Sequence, residues 1–400
     1  VRGRISILIA LAVAAAPAPA AAIEVAPGVQ WTTVVRSPGP VRINVLELDP
    51  ARVRGVLSNE KVARRERVST MGRRVGAVAG VNGGYFAQSG DPVGVLALNG
   101  QLLSEPVDGR SALILDAGGA SIAPLRFRGR ISVNGLSRQL DGLDRTRGLI
   151  PACGGRGGDS PTARPNAALT CTDASELVLL SPRYGARPPA EGGVEAVLRG
   201  GTVAELRPPG SGPVPSDGLL LTGTGDAARF LRDAALPRSR STVALRLTAA
   251  GRSLPVTPSV LPPPGGVAPP GADPRLVVGG GPLLVRAGRV AVSATAEGFA
   301  PPQAPAFFRS FVAGRQPRTL GGVRADGTLL LVTVDGRRPG WSVGMTLAEA
   351  ARYMLSLGAT DALNLDGGGS TTMTVRGELV NRPSDRTGER PVSDGIFTLP

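Results

Sequence analysis

Leu363-Asn364-Leu365-Asp366-Gly367-Gly368-Gly369-Ser370-Thr371-Thr372-Met373 is the stretch on which the reading of this chain turns. An apolar run rises to a carboxylate, breaks on three glycines and resumes as a strand-like segment through Thr374 and Val375. Consecutive glycines are expensive to order, because glycine loses more backbone freedom on folding than any other residue. A chain that keeps them between two strands needs positive φ there, or something pressed against bare backbone. In a strand, Asn364 and Asp366 project from one face, and Ser370 with the freed N–H groups lines a cup for an anion or a sugar. Taken alone, a tight hairpin corner with a solvated Asp explains the stretch as well.

Working outward, Leu329 to Val334 reads as a central strand that delivers Asp335-Gly336-Arg337 at its end. The helix that follows is well signalled. Thr346 and Glu349 make a capping box, Leu347, Ala350, Ala351, Met354 and Leu355 form one apolar stripe, and Gly358 stops it. A helix joining the Leu329 and Leu363 strands predicts a β-α-β crossover with parallel strands ending at one edge of the sheet. Asp335, Arg337 and the Asp366 turn then share a rim, although Asp335 and Arg337 are equally readable as an ion pair that fixes it. The fold class is α+β: a mixed, strand-rich sheet with this crossover near the C-terminus and few helices.

Earlier in the chain, Val41 to Leu48 alternates as a strand and Arg54 to Ser58 is expected to pair with it. Glu60 to Arg74 reads as a charged, solvated patch with a short helix. Val75 to Val81 is a buried strand ending at Asn82-Gly83-Gly84, with Tyr85-Phe86 beside it as a platform for a sugar ring. Further strands are expected at Gly94–Leu98, Ala112–Asp116, Ser121–Phe127, Leu177–Leu180, Val194–Leu198, Gly218–Thr222 and Thr242–Leu247, with a short helix at Asp226–Asp233.

The chain divides into a signal segment at 1–22 and one domain at 23–400. Within the domain, a strand-rich N-terminal lobe covers 23–275 and a motif-bearing lobe covers 276–400, with Pro255 to Pro274 as a long loop or seam. Arg2 and Arg4 precede the apolar run Ile5–Ala16 and an Ala/Pro tail, the order of a secretory signal cleaved near Ala22. No other stretch is a candidate to cross a bilayer, so the mature protein is expected outside the cytoplasm, secreted or envelope-associated. Cys153 and Cys171 sit in an inserted Gly/Pro/Arg-rich loop at 148–172 that a disulfide would close.

Basic residues outnumber acidic ones by 45 to 31, and all but Lys61 are arginine. They look scattered along the sequence and lack interleaved aromatics, which argues against nucleic acid and for anionic wall polymers or phosphorylated glycans. The chain has no histidine. That removes Ser-His-Asp and Cys-His systems and His-based metal clusters. The glycine turn lacks the Gly-Lys-Ser/Thr of a nucleotide P-loop. Carboxylates, arginines and amides remain, an inventory that suits glycosyl transfer and phosphate binding by Arg. No cofactor is required, though the oxygen ligands near Asp366 or Asp335 would admit Ca²⁺.

Val81-Asn82-Gly83-Gly84-Tyr85-Phe86, Gly279-Gly280-Gly281-Pro282, Arg318-Thr319, Val334-Asp335-Gly336-Arg337, Asn364 to Ser370 and Glu389-Arg390-Pro391-Val392 form an ordered set. This set resembles the phosphodiester glycosidase family, most closely over Gly279 to Leu399. With the inventory, the resemblance implies cleavage of the C1–O bond of a sugar-1-phosphodiester, of the N-acetylglucosamine-1-phosphodiester type. Asp366 and Glu389 are then the two carboxylates, and Arg318 and Arg390 neutralise the leaving phosphate. Asn82, Gly83, Gly84, Asn364, Gly367, Gly368, Gly369 and Ser370 hold the sugar or phosphate, with Asp335 and Arg337 on the rim. For an exported, apparently bacterial chain the substrate is expected in an exopolysaccharide or wall polymer. A non-catalytic polysaccharide-binding protein of the same fold is the alternative, and an ordinary glycosidase or a P–O-cleaving phosphodiesterase is a third reading.

Overall fold

A computed structural model describes residues 21–37, 39–154, 164–259 and 272–400. The expected signal segment lies almost wholly outside the described residues, as do the middle of the cysteine loop and most of the Pro-rich stretch 255–274. A disulfide joins Cys153 to Cys171. No helix among the described residues is long and apolar enough to cross a membrane.

The architecture is strand-rich α+β with four α-helices among the described residues. An eight-stranded sheet runs, in spatial order, Ile23–Ala26, Val29–Arg36, Val41–Leu48, Leu329–Val334, Arg318–Arg324, Ala359–Asn364, Leu283–Arg286 and Arg289–Val290. Leu329–Val334 reads as apolar sequence broken only by Thr333 because both of its faces are covered. Leu329 and Leu331 enter a core shared with two other sheets, while Leu330, Val332 and Val334 pack beneath the helix Leu347–Ser356. That helix carries both bonds of its capping box, Glu349 N to Thr346 Oγ1 at 3.1 Å and Thr346 N to Glu349 Oε2 at 2.9 Å. It ends at Gly358, whose φ is +84°.

The helix joins two strands that are mutually parallel but not adjacent. Arg318–Arg324 lies between them, antiparallel to both. The crossover therefore places the ends of Leu329–Val334 and Ala359–Asn364 and the start of Arg318–Arg324 on one edge.

A second, five-stranded sheet orders Glu378–Leu379, Met373–Val375, Ala79–Asn82, Asp394–Thr398 and Val53–Leu57. The expected pairing of Arg54–Ser58 with Val41–Leu48 does not form. Between them Pro50–Arg52 makes a 3₁₀ turn held by the Asp49 side chain, and the chain leaves the first sheet to pair with Asp394–Thr398. Strands from both sides of position 275 lie side by side in the first sheet and interleave in the second, so the two lobes drawn on sequence share their sheets. The remaining nine- and five-stranded sheets sandwich a separate core with the helix Gly225–Ala234. The Glu60–Arg74 patch is only partly solvated. Glu66 is buried, pairs with Arg74 at 2.9 Å and accepts from Asn59 N.

Candidate active site at the glycine turn

The crossover edge of the first sheet meets the end of Ala79–Asn82 in the second, and Asn82 ties them together. Its Nδ2 donates to the Asp366 carbonyl at 2.7 Å, and its Oδ1 accepts from Thr319 Oγ1 at 2.7 Å and Thr372 N at 3.1 Å. Asp366 N in turn donates to Gly83 O. Asn82 is fully committed, to the main chain on both sides of the glycine turn and to the Thr319 hydroxyl. It places Asp366 without presenting a free amide.

The three glycines answer to three different neighbours. A Cβ on Gly367 would lie 2.9 Å from the Pro317 carbonyl oxygen, and one on Gly368 would lie 3.1 Å from Arg337 Nη2. One on Gly369 would lie 2.1 Å from both Arg390 Nη2 and Asp385 Oδ1. Only Gly368 has positive φ, at +60°. The bare backbone thus admits two guanidinium groups, from Arg337 and Arg390, close against the turn.

Two carboxyl groups stand here, Asp366 half-buried on the turn under the Arg390 charge and Asp394 buried behind Gly84. Asp366 Oδ1 accepts from Gly367 N at 2.9 Å. Burial pushes its pKa up to about 6; the Ser370 hydroxyl and the Arg390 charge oppose that rise, and Asp394 adds to it. Asp394, which the sequence reading did not single out, is 3% exposed. Its Oδ1 accepts from Gly84 N at 3.1 Å, its Oδ2 accepts from Ser393 Oγ, and burial lifts it to about 6 as well. A Cβ at Gly83 would fall 1.8 Å from Asp394 Oδ1. Gly83 therefore lets the second carboxyl approach the backbone, where Gly84 N meets it. The Asp394 charge adds to the rise at Asp366, while Asp394 itself is lifted by burial.

An aromatic wall stands on one side. Tyr85 donates its hydroxyl proton to Gly281 O at 2.6 Å and accepts from Asn364 Nδ2 at 2.6 Å. Its ring packs on Phe299 and Phe311, and Phe311 stacks further on Phe307 at 5.2 Å. Asn364 Oδ1 is buried beside Tyr85 with no hydrogen-bond partner among the described residues. Phe86, expected to extend the aromatic platform, packs instead with Val56, Val68 and Met71.

The other expected residues distribute around the turn. Arg390 grips Asp385 with two bonds, at 2.8 and 3.0 Å, and reaches Ser370 Oγ at 3.5 Å. Arg337 bonds Gln316 Oε1 at 2.7 Å. Asp335 accepts from Trp341 Nε1, Asn381 Nδ2 and Arg382 N. It fixes the rim through these donors in place of the ion pair with Arg337. Arg318 is buried, with Nε on Met345 O and Nη2 on Phe311 O and Gly314 O. Its charge braces the Phe311–Met345 segment and reaches the cup only through space.

Both Glu389 oxygens bond Ser69, one to its N at 2.8 Å and one to its Oγ at 2.6 Å. This caps the helix Val68–Arg74, whose own N-cap residue Arg67 makes no side-chain bond. Among the described residues no three acidic or cysteine side chains cluster closely enough to hold a metal ion, and the donors on Asp335 already occupy its oxygens. A cavity of about 630 Å³ between Arg54, Leu98, Gln101 and Pro255 shares no residue with the turn.

A phosphodiester glycosidase model matches residues 192–399, over half of the chain. The chain belongs to the phosphodiester glycosidase family. A crystal structure of a Burkholderia pseudomallei protein named as exported is 32% identical, with a TM-score of 0.79 over 90% of this chain and 74% of that one. Two curated relatives match a shorter stretch of this chain. The prophage-derived protein YomE of Bacillus subtilis is 44% identical over 20% of this chain and 12% of its own length. Bovine N-acetylglucosamine-1-phosphodiester alpha-N-acetylglucosaminidase is 40% identical over 20% of this chain and 14% of its own length. The matches thus span well under a fifth of either curated relative.

Proposed function

We propose that this protein is an exported hydrolase that cleaves the sugar C1–O bond of a sugar-1-phosphodiester, of the N-acetylglucosamine-1-phosphodiester type, in a glycan or wall polymer. The observation that carries the reading is Asp366: a carboxyl with a pKa near 6, held on a glycine turn under the charge of Arg390. The names of the bovine and Burkholderia relatives support the activity and the export respectively.

In this reading the C1–O bond breaks with its electron pair leaving on the phosphate, and water supplies the new oxygen at C1. Phosphate is a good leaving group, so strong general-acid help is unnecessary. Arg390 and Arg337, packed against the turn, balance the charge that develops. Asp366, ionised above pH 6, acts at C1 as nucleophile or as base toward water. Asp394 stands as the second carboxyl. Glu389, the other carboxylate picked from sequence, anchors the Asp385–Arg390 loop to the helix Val68–Arg74.

The test is incubation with UDP-N-acetylglucosamine and with a simple N-acetylglucosamine-1-phosphodiester in ¹⁸O-water. Free sugar carrying the label at C1, lost in Asp366→Asn, is the expected outcome. Label in phosphate, or release of sugar phosphate, would exclude C–O cleavage. A non-catalytic polysaccharide-binding role is the alternative, favoured by the pairing of Arg390 with Asp385; it requires glycan binding that Asp366→Asn leaves intact, with no turnover.

A further inference from the structure

The long strand Gly119–Val133 carries a feature that the glycine-turn site does not use. Its second half buries Leu125, Phe127, Gly129, Ile131 and Val133 and turns Arg126, Arg128 and Arg130 to solvent. Alternate residues of a strand stand roughly 6.8 Å apart on one face, so the three guanidinium groups form a row. The neighbouring strand Ser241–Ala249 sets exposed Arg246 directly opposite Arg128. Like charges facing each other across a sheet are destabilising.

Relief from within the protein is slight. Asp108 sits 3.4 Å from Arg128, and among the described residues Arg126, Arg130 and Arg246 have no carboxylate partner. The arginines that look scattered in sequence are gathered here by the period of two, in Arg126-Phe127-Arg128-Gly129-Arg130.

We propose that this row is a docking strip for a linear polyanion, specifically a glycan polymer whose charges are phosphodiesters. The rest of the face decides against nucleic acid. Its other side chains are small or polar, Ser132, Thr242, Ala244 and Thr248, with Ser137 and Gln139 of the paired strand Leu136–Leu140 opposite Ser132 and Arg130, and its one aromatic, Phe127, points into the core. Bases would find nothing to stack on, and no helix projects from the strip to enter a duplex groove. A flexible polymer with regularly spaced phosphates and hydroxyl-rich units matches both the charge row and the small polar residues around it. The inference stands apart from the chemistry at Asp366.

The experiment titrates full-length protein with an end-labelled poly(glycerol phosphate) chain over a range of salt concentrations. The triple variant Arg126→Gln/Arg128→Gln/Arg130→Gln should bind about tenfold more weakly at low salt, with a log–log salt slope shallower by about 2, since each single-strand phosphate contact contributes roughly 0.7. Arg65→Gln/Arg232→Gln/Arg289→Gln makes the same change in net charge at exposed arginines elsewhere and should stay within about twofold of wild type. The strip variant should unfold no earlier than wild type, because like charges have been removed. Equal weakening in both triples would reduce the effect to net charge and overturn the proposal. So would the absence of wild-type binding, or equal affinity for single-stranded DNA of the same charge. Hydrolysis of a small sugar phosphodiester should not change in the strip variant, which separates this proposal from the one at Asp366.

Discussion

Asn82 and Asp366 lie 284 residues apart, yet the Asn82 amide donates to the Asp366 main-chain carbonyl at 2.7 Å. The same side chain accepts from Thr319 and Thr372, so one buried amide fixes the second sheet, the first sheet and the glycine turn to one another. Asn82→Ala would leave three buried polar groups without partners. At about 1–3 kcal/mol for each group left unsatisfied, less whatever water recovers, the expected loss is about 2–4 kcal/mol. Urea unfolding measures it, and kcat should fall further than stability alone explains because Asp366 loses its anchor.

Asp366→Asn is expected to abolish sugar release while leaving the fold intact, since the amide can still accept from Gly367 N through Oδ1. A drop in kcat of at least about 10³-fold with KM within a few-fold would place Asp366 in the reacting centre. The wild-type rate should rise with pH through about 6, where Asp366 ionises. Retained turnover in the variant would remove Asp366 from the chemistry.

Much of the fold was legible because its signals are local. The capping box at Thr346 and Glu349 and the largely apolar Leu329–Val334 run announced the helix and strand of the crossover, and the shared edge followed from the parallel direction that a helical crossover gives its two strands. The intervening Arg318–Arg324 strand was not, because a crossover constrains direction and leaves adjacency open. The glycine turn was found for a sound reason and with incomplete knowledge of its cause. Sequence shows that something crowds the backbone; only the fold shows that Arg337, Arg390–Asp385 and Pro317 do so.

Asp394 was missed although it follows Glu389-Arg390-Pro391-Val392 by two residues. Its importance comes from burial and from Gly83 and Gly84, which are more than 300 positions away. The Arg126, Arg128 and Arg130 row was visible as strict alternation, but composition drew attention to how arginine is spread along the chain and away from its strand period.

Glu389→Gln should separate anchoring from catalysis. Glutamine keeps one oxygen to accept from Ser69 N, so the helix Val68–Arg74 loses charge complementarity and part of its cap, about 0.5–1 kcal/mol. Thermal unfolding should show that small loss while kcat stays within about tenfold of wild type. A loss approaching that of Asp366→Asn, without a matching loss of stability, would instead make Glu389 the second reacting carboxylate.

Gly369→Ala should damage activity through the arginine above it. The new methyl group would sit 2.1 Å from Arg390 Nη2 and Asp385 Oδ1, so the Asp385–Arg390 pair must lift from the turn. Asp366 then loses one influence that lowers its pKa, and the rising limb of the pH–rate profile should move to higher pH. Gly368→Ala acts mainly through its positive φ and the Arg337 contact. It should weaken folding by about 1 kcal/mol with less displacement of the profile.

The pH dependence of stability tests the buried acids directly. Burial raises both Asp366 and Asp394 to about 6 and Asp144 to about 7, whereas an unfolded aspartate titrates near 3.9. Between about pH 4 and 7 the folded protein therefore holds protons that the unfolded chain has released. With more protons bound in the native state, stability falls as pH rises through that window and levels off above it. The urea midpoint should decrease from pH 4.5 to 7.5 as far as these groups are concerned. Asp394→Asn removes one titrating proton, so the decline should become shallower by up to about 1.4 kcal/mol per pH unit at its steepest point. At pH 7.5 the variant should equal or exceed wild type in stability, because a neutral amide keeps an acceptor for Gly84 N without a buried charge. A variant curve parallel to wild type would mean that Asp394 is ionised throughout, and its place as a protonated second carboxyl below pH 6 would have to be given up.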